Sequence, residues 1–170
     1  MAEQTTPGIP LIAQGHSYGA VVTLFRLLDQ PKRYRAALIS GAPVVPVPEL
    51  LDTDSSLDLD PHWLSDDPFY LDAMENDPLA FVEADSVPLA RELDRAWDRF
   101  GTELPKLTVP TLAIHGELDP IAPVSALRAY AEQIEPLRLR EFPGAHHDIL
   151  NETVHREVAS AILEFIGEQS

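Results

Sequence analysis

Apolar positions fall into short continuous runs, separated by longer stretches whose apolar residues recur at helical spacing. Residues 9–13 are almost unbroken in their apolarity, which suits a strand buried on both faces. From Gly19 the run AVVTLFRLL places Val21, Leu24, Phe25 and Leu28 on one helical face, and it stops before Pro31. Residues 36–39 begin a second apolar strand, closed by Gly41 and Pro43, and residues 109–115 form a third. A helix is predicted over 123–134, with Pro123 in its first turn. Residues 137–142 alternate apolar and polar, as in a half-exposed strand. A last helix carries Val154, Val158, Ile162 and Phe165 along one stripe, with Asn151 as its cap. Strands alternating with helices predict an α/β domain built on a parallel sheet.

Residues 43–106 break this rhythm. They hold Pro43, Pro46, Pro48, Pro61, Pro68, Pro78, Pro88 and Pro105, most of the acids and both tryptophans. The expectation is a mostly short-helical insertion (43–106) lying over a core made of 1–42 and 107–170. An asymmetry stands beside it. The last strand is patterned as a sheet edge, whereas the first is patterned as an interior strand with nothing before it to pair with. The chain is therefore expected to begin in the middle of a fold.

Composition narrows the classes. The chain has 170 residues, enough for one domain with a real core, and a net charge of −16 that repels phosphate backbones and anionic lipid. Nucleic-acid binding is thus excluded as a reading. Asp52, Asp54, Asp58, Asp60, Asp66 and Asp67 share one stretch, but without the glycine and terminal glutamate of a calcium loop, so it is read as a solvated surface. There is no cysteine, hence no disulfide frame and no thiol nucleophile. MAEQTTPGIP has the composition of no signal peptide, and no apolar run reaches the length of a membrane span. A soluble, cytoplasmic protein is expected.

The candidate chemistry lies at strand ends. Gly15-His16-Ser17-Tyr18-Gly19 fits G-x-S-x-G between an apolar strand and a helix, with glycines 15 and 19 leaving room for a tight turn. A serine hydroxyl needs a base to take its proton and a third group to orient that base. Asp119 follows the third strand, and the pair His146-His147 follows the fourth. Ligand sites of open α/β sheets collect at such C-terminal ends. A nucleophile, an acid and a base therefore converge on one rim, although spacing does not choose between the two histidines. The other histidines take plainer readings: His16 braces the turn, His115 is a satisfied core residue, and His62 and His155 are exposed. No spacing suggests a metal site.

GHSYGA (15–20), HGELDPIAP (115–123) and GAHHDILNE (144–152) resemble the α/β-hydrolase superfamily, and within it the monoacylglycerol lipase and lysophospholipase-like serine hydrolases. DDPFYLDAMENDPLAF (66–81) is similar to the cap of that group. The resemblance implies a partial α/β-hydrolase fold of about four parallel strands with a helical cap, its N-terminal strands missing. It implies Ser17 as nucleophile, Asp119 as acid and His147 as base, with His146 as the alternative. The backbone N–H of Tyr18 becomes one oxyanion donor, while the loop that supplies a second would lie within the first ~100 residues of such a fold, which this chain is expected to lack. The implied substrate is a monoacylglycerol- or lysophospholipid-like or small carboxylic ester, cleaved through an acyl-enzyme without cofactor or metal, and the acidic surface favours neutral esters. Trp63, Phe69, Tyr70, Phe81 and Trp97 are candidates for an acyl pocket, or for simple packing of the insertion. The competing expectation is a truncated, incompetent fragment that needs an N-terminal partner segment. Pairing of two copies through the first strand is a further expectation.

Overall fold

Four strands, β1 (Ile12–His16), β2 (Ala36–Ser40), β3 (Thr111–Gly116) and β4 (Leu137–Phe142), form one parallel sheet in sequential order. The computed structural model describes residues 9–47, 60–79 and 86–169. Helix α1 (Tyr18–Asp29) connects β1 to β2, and α5 (Ser125–Gln133) connects β3 to β4. Between β2 and β3 lie α2 (Pro61–Leu64), α3 (Pro68–Glu75) and α4 (Ser86–Glu103), and α6 (His155–Glu168) closes the chain.

The two-residue period of the strands sorts the core into two halves. Ala37, Ile39, Ala113 and Leu137 face one side, packed with Val21, Leu24 and Leu27 of α1, Leu93, Trp97 and Phe100 of α4, and Leu127 of α5. Ala36, Leu38, Leu112 and Ile114 face the other, packed with Ile149 and with Val158 and Phe165 of α6. Crossovers between parallel strands share one hand, so helices that step the chain across the sheet in one direction stack on one face. Helix α6 makes no further crossover and covers the opposite face. Each fully buried Leu, Ile or Phe contributes about 1.5–3 kcal/mol relative to exposure, and both faces are thereby sealed beneath the strand ends.

Several local expectations are corrected. The first strand starts at Ile12 rather than residue 9 and is half-buried rather than buried on both faces; among the described residues it stands at the sheet's edge, as expected of a strand with nothing before it to pair with. Pro123 stands outside α5, whose cap position is Val124; the preceding loop is already folded into a turn on Asp119. Asn151 caps nothing: it ends a short 3₁₀ turn, and α6 begins after Val154. The segment 43–106 also contains an 18-residue helix, α4, rather than short helices alone. Pro88 lies in its first turn, where the absent N–H has no intrahelical acceptor to serve. Leu93, Ala96, Trp97 and Phe100 of this helix join the main core.

Candidate active site

Ser17 stands where β1 turns into α1, with φ 52° and ψ −122°. A left-handed backbone at a residue bearing a Cβ costs about 1–3 kcal/mol. Two bonds hold it: the Ser17 N–H donates to Ser40 O at 2.8 Å, and the Ala20 N–H donates to Ser17 O at 2.9 Å. The turn is tight enough that a Cβ on Gly15 would come within 2.1 Å of Gly19 O and 2.4 Å of Thr23 Oγ1. Gly19 is different, since a Cβ there meets nothing within 4 Å among the described residues. Tyr18 is the first residue of α1, so its N–H belongs to the first-turn donors that no helical carbonyl reaches.

Asp119 follows β3 in a loop whose backbone folds around its carboxylate. Oδ1 accepts from the N–H groups of Ile121 and Ala122, each at 2.9 Å. Oδ2 accepts from His147 Nδ1 at 2.8 Å and stands 3.1 Å from His115 Nε2. Burial by itself would push this carboxyl up. The bonds from His115 and His147, the charge of His147 and the Ala122 N–H outweigh it and hold Asp119 well below the usual carboxylate range. His147 is buried, and its Nε2 lies 2.9 Å from Ser17 Oγ. A carboxylate can only accept, so Nδ1 carries the proton and Nε2 is left to accept from the serine hydroxyl. Ser17, His147 and Asp119 thus form one continuous hydrogen-bonded chain.

The surroundings keep that chain in place. Gly41 has φ +52°, and a Cβ on it would lie 2.9 Å from His147 Cε1 and 3.0 Å from His16 Cε1. The His16 ring is 4.9 Å from that of His147, with Nδ1 3.0 Å from Ser40 Oγ. Burial, followed by the charge of His147, lowers the His16 pKa below its ordinary value, against the opposing pull of Asp148 and Asp119. His16 therefore braces the turn as a neutral ring.

The loop carrying His147 is tied to the segment before and within α3. The His147 N–H donates to Trp63 O at 3.2 Å and the Asp148 N–H to Leu64 O at 2.8 Å. Ser65 Oγ donates to Asn151 O at 3.1 Å, and the Tyr70 hydroxyl donates to Asp148 Oδ2 at 2.6 Å. Burial and the bond to Asp148 push the Tyr70 phenol well above its ordinary range. Glu152, only 1% exposed, gathers the N–H groups of Asp66, Thr153 and His146. It also faces His146 Nδ1 at 3.2 Å. Burial pushes Glu152 up, but these donors outweigh it and hold the carboxyl below the ordinary value.

Of the pair left open by spacing, His147 stands between Ser17 and Asp119, while His146 turns to Glu152. His62 is exposed beside Asp66, and His155 Nδ1 is 2.8 Å from Glu152 O. The reading of His115 as satisfied is corrected: its Nε2 has partners, but its buried Nδ1 has none among the described residues. Trp97 packs in the core with its indole N–H on Pro43 O at 2.8 Å. Trp63 and Phe69 are exposed, and Phe81 lies outside the described residues. Asp52, Asp54 and Asp58 also lie outside them, while Asp60 and Asp67 cap α2 and α3. No cluster able to hold a metal ion occurs among the described residues. Glu152, Asp148 and Ser40 were not singled out by sequence. A buried carboxylate in a polar loop looks the same, residue by residue, as a solvated one.

The family model described as serine aminopeptidase, S33, matches residues 1–154. The chain is 26% identical to a monoacylglycerol lipase of Mycolicibacterium smegmatis, over 98% of this chain and 65% of that protein. It is 26% identical to a monoglyceride lipase homolog of monkeypox virus, over 96% of this chain and 64% of that one. It thus spans slightly less than two thirds of either relative's length. Among solved structures, the monoacylglycerol lipase of Paleococcus ferrophilus shares the fold with a TM-score of 0.83 at 22% identity, covering 96% of this chain and 70% of its own. A carboxyl esterase from Bacillus coagulans gives 0.78 at 18% identity, over 95% and 66%. With nine tenths of its length matched and its four parallel strands in this arrangement, the chain belongs to the serine aminopeptidase S33 family of the α/β hydrolases.

Proposed function

We propose that this chain carries the catalytic residues of a serine ester hydrolase whose substrates are neutral carboxylic esters, monoacylglycerols first among them. One observation carries the reading: Ser17, His147 and Asp119 are linked at 2.9 and 2.8 Å, with Ser17 on a strained strand-to-helix turn. Relatives named as monoacylglycerol and monoglyceride lipases support the ester class. In the proposed reaction Ser17 Oγ attacks the acyl carbon while His147 Nε2 takes the serine proton. The Tyr18 N–H stabilises the developing oxyanion. His147 then returns the proton to the departing alcohol, leaving the acyl group on Ser17. Water attacks that ester with His147 again as base, and the acid leaves as Ser17 Oγ regains its proton. Asp119, ionised throughout, fixes the imidazole tautomer and stabilises its charged form. The segment around α2 and α3 is proposed as part of a cap, since it rests directly on the His147 loop.

The test is hydrolysis of a monoacylglycerol and of a short p-nitrophenyl ester. Ser17→Ala is expected to lower kcat by about 10⁴–10⁶-fold, and turnover that survives the substitution would sink the reading. A second reading is favoured by the outer edge of β1, which no strand pairs among the described residues. In it, the chemistry requires a further strand against β1, from an N-terminal partner segment or a second copy. A folded chain that turns over no ester until such a segment is added would support it.

A further inference from the structure

We propose that His115 is a positioning residue of this site, its Nε2–H shared between the Ala122 carbonyl and the Asp119 carboxylate oxygen that receives His147. The proposal rests on the hydrolase reading above, and its geometry is independent of Ser17. His115 Nε2 lies 2.5 Å from Ala122 O. A carbonyl can only accept, so this nitrogen carries a proton. The same nitrogen lies 3.1 Å from Asp119 Oδ2, with both side chains fully buried. Asp119 Oδ1 is already bonded by the Ala122 N–H. His115 therefore holds Ala122 and Asp119 together from the opposite side, closing the loop around the carboxylate.

Packing alone does not account for a histidine here. Its Nδ1 is buried with no partner among the described residues, a cost that an apolar side chain on this buried strand would avoid. What the imidazole supplies is a second donor to Oδ2, beside His147 Nδ1. Asp119 then has two donors on Oδ1, and on Oδ2 the bond from His147 with His115 Nε2 3.1 Å away beside it. Each donor withdraws charge from the carboxylate, so His115 sets how strongly Asp119 attracts a proton on His147. Among the described residues, Glu141 also faces His115 as its register partner on β4, and Arg128 neutralises it through two bonds.

Removing the His115 donor leaves more of the Asp119 charge to act on His147. The acid limb of kcat/KM then moves up. In His115→Leu this limb is expected to rise by about 0.5–1 pH unit, with kcat lowered about 3–10-fold and KM unchanged. His115→Gln carries an amide N–H where Nε2 stood and is expected to restore the limb. A merely structural role would lower stability in both variants and move the limb in neither. The tautomer is read separately, from nitrogen shifts of ¹⁵N-histidine-labelled wild-type chain. Nε2–H at His115 is the expected result, and Nδ1–H overturns the proposal whether or not the variants fold. A limb unmoved in folded His115→Leu overturns it equally. Should the wild-type chain turn over no ester, alone or with a segment added against β1, the hydrolase reading fails, while the imidazole spectrum still decides the role of His115 at Asp119.

Discussion

The strain at Ser17 is tolerable because neighbouring residues leave the backbone no easier path. Ser40 O takes the Ser17 N–H, and Gly15 lets α1 descend to contact with β1. The two motif glycines are consequently not equivalent. Gly15→Ala drives a methyl into backbone that cannot yield, and it is expected to destabilise the chain by about 2–3 kcal/mol in urea unfolding. Gly19→Ala should stay within about 0.5 kcal/mol of wild type. Equal losses in the two variants would contradict the packing described here. The motif itself could be read directly from sequence, because a strand, a tight turn and a helix each leave local marks. Which glycine the turn requires could not, since that depends on how closely α1 approaches β1. The choice between His146 and His147 was hidden for the same reason. Adjacent residues point to opposite sides of a loop, and only the partners, Asp119 or Glu152, separate them.

At the scale of elements, the alternation of strands and helices was legible because period 2 and period 3.6 differ strongly over a few residues. Helix α4 was obscured by Pro88 and by a polar, proline-rich approach, although Leu89, Leu93, Trp97 and Phe100 recur at helical spacing. The link between α2, α3 and the His147 loop left no local mark at all. It is made of backbone carbonyls, a buried glutamate and the hydroxyls of Ser65 and Tyr70. Glu152→Ala strips four donors of their acceptor and is expected to cost about 2–4 kcal/mol, read from the urea midpoint at constant m-value. Tyr70→Phe removes a single bond to Asp148 and should cost about 1 kcal/mol or less. Its sharper signature is faster amide exchange at Asp148 and across α3. Unchanged exchange in Tyr70→Phe would mean that this bond does not tie α3 to the loop.

The whole molecule is acidic, yet its response to acid is set by a few buried and half-buried groups. His16 has a folded pKa below its ordinary 6.5, so below that pH the unfolded chain takes up a proton that the folded chain resists. Asp119 and Glu152 are depressed below their ordinary 3.8 and 4.5, and their stabilisation is present above those values and lost as pH falls through the lower folded ones. All three act in one direction: the urea midpoint is expected to fall as pH drops below about 6.5, through His16, and to fall further below about 4.5 and 3.8, through Glu152 and then Asp119. His16→Asn should remove the upper part of that decline, and a midpoint that rises on acidification would show that relief of charge repulsion dominates instead. The central claim is that Ser17 is activated by His147 and Asp119, and intact-mass analysis after exposure to a fluorophosphonate tests it most directly. One phosphonyl adduct on Ser17, absent in Ser17→Ala and strongly slowed in His147→Ala, is the predicted result. A folded chain that takes up no adduct, or takes it up at another residue, would contradict the account.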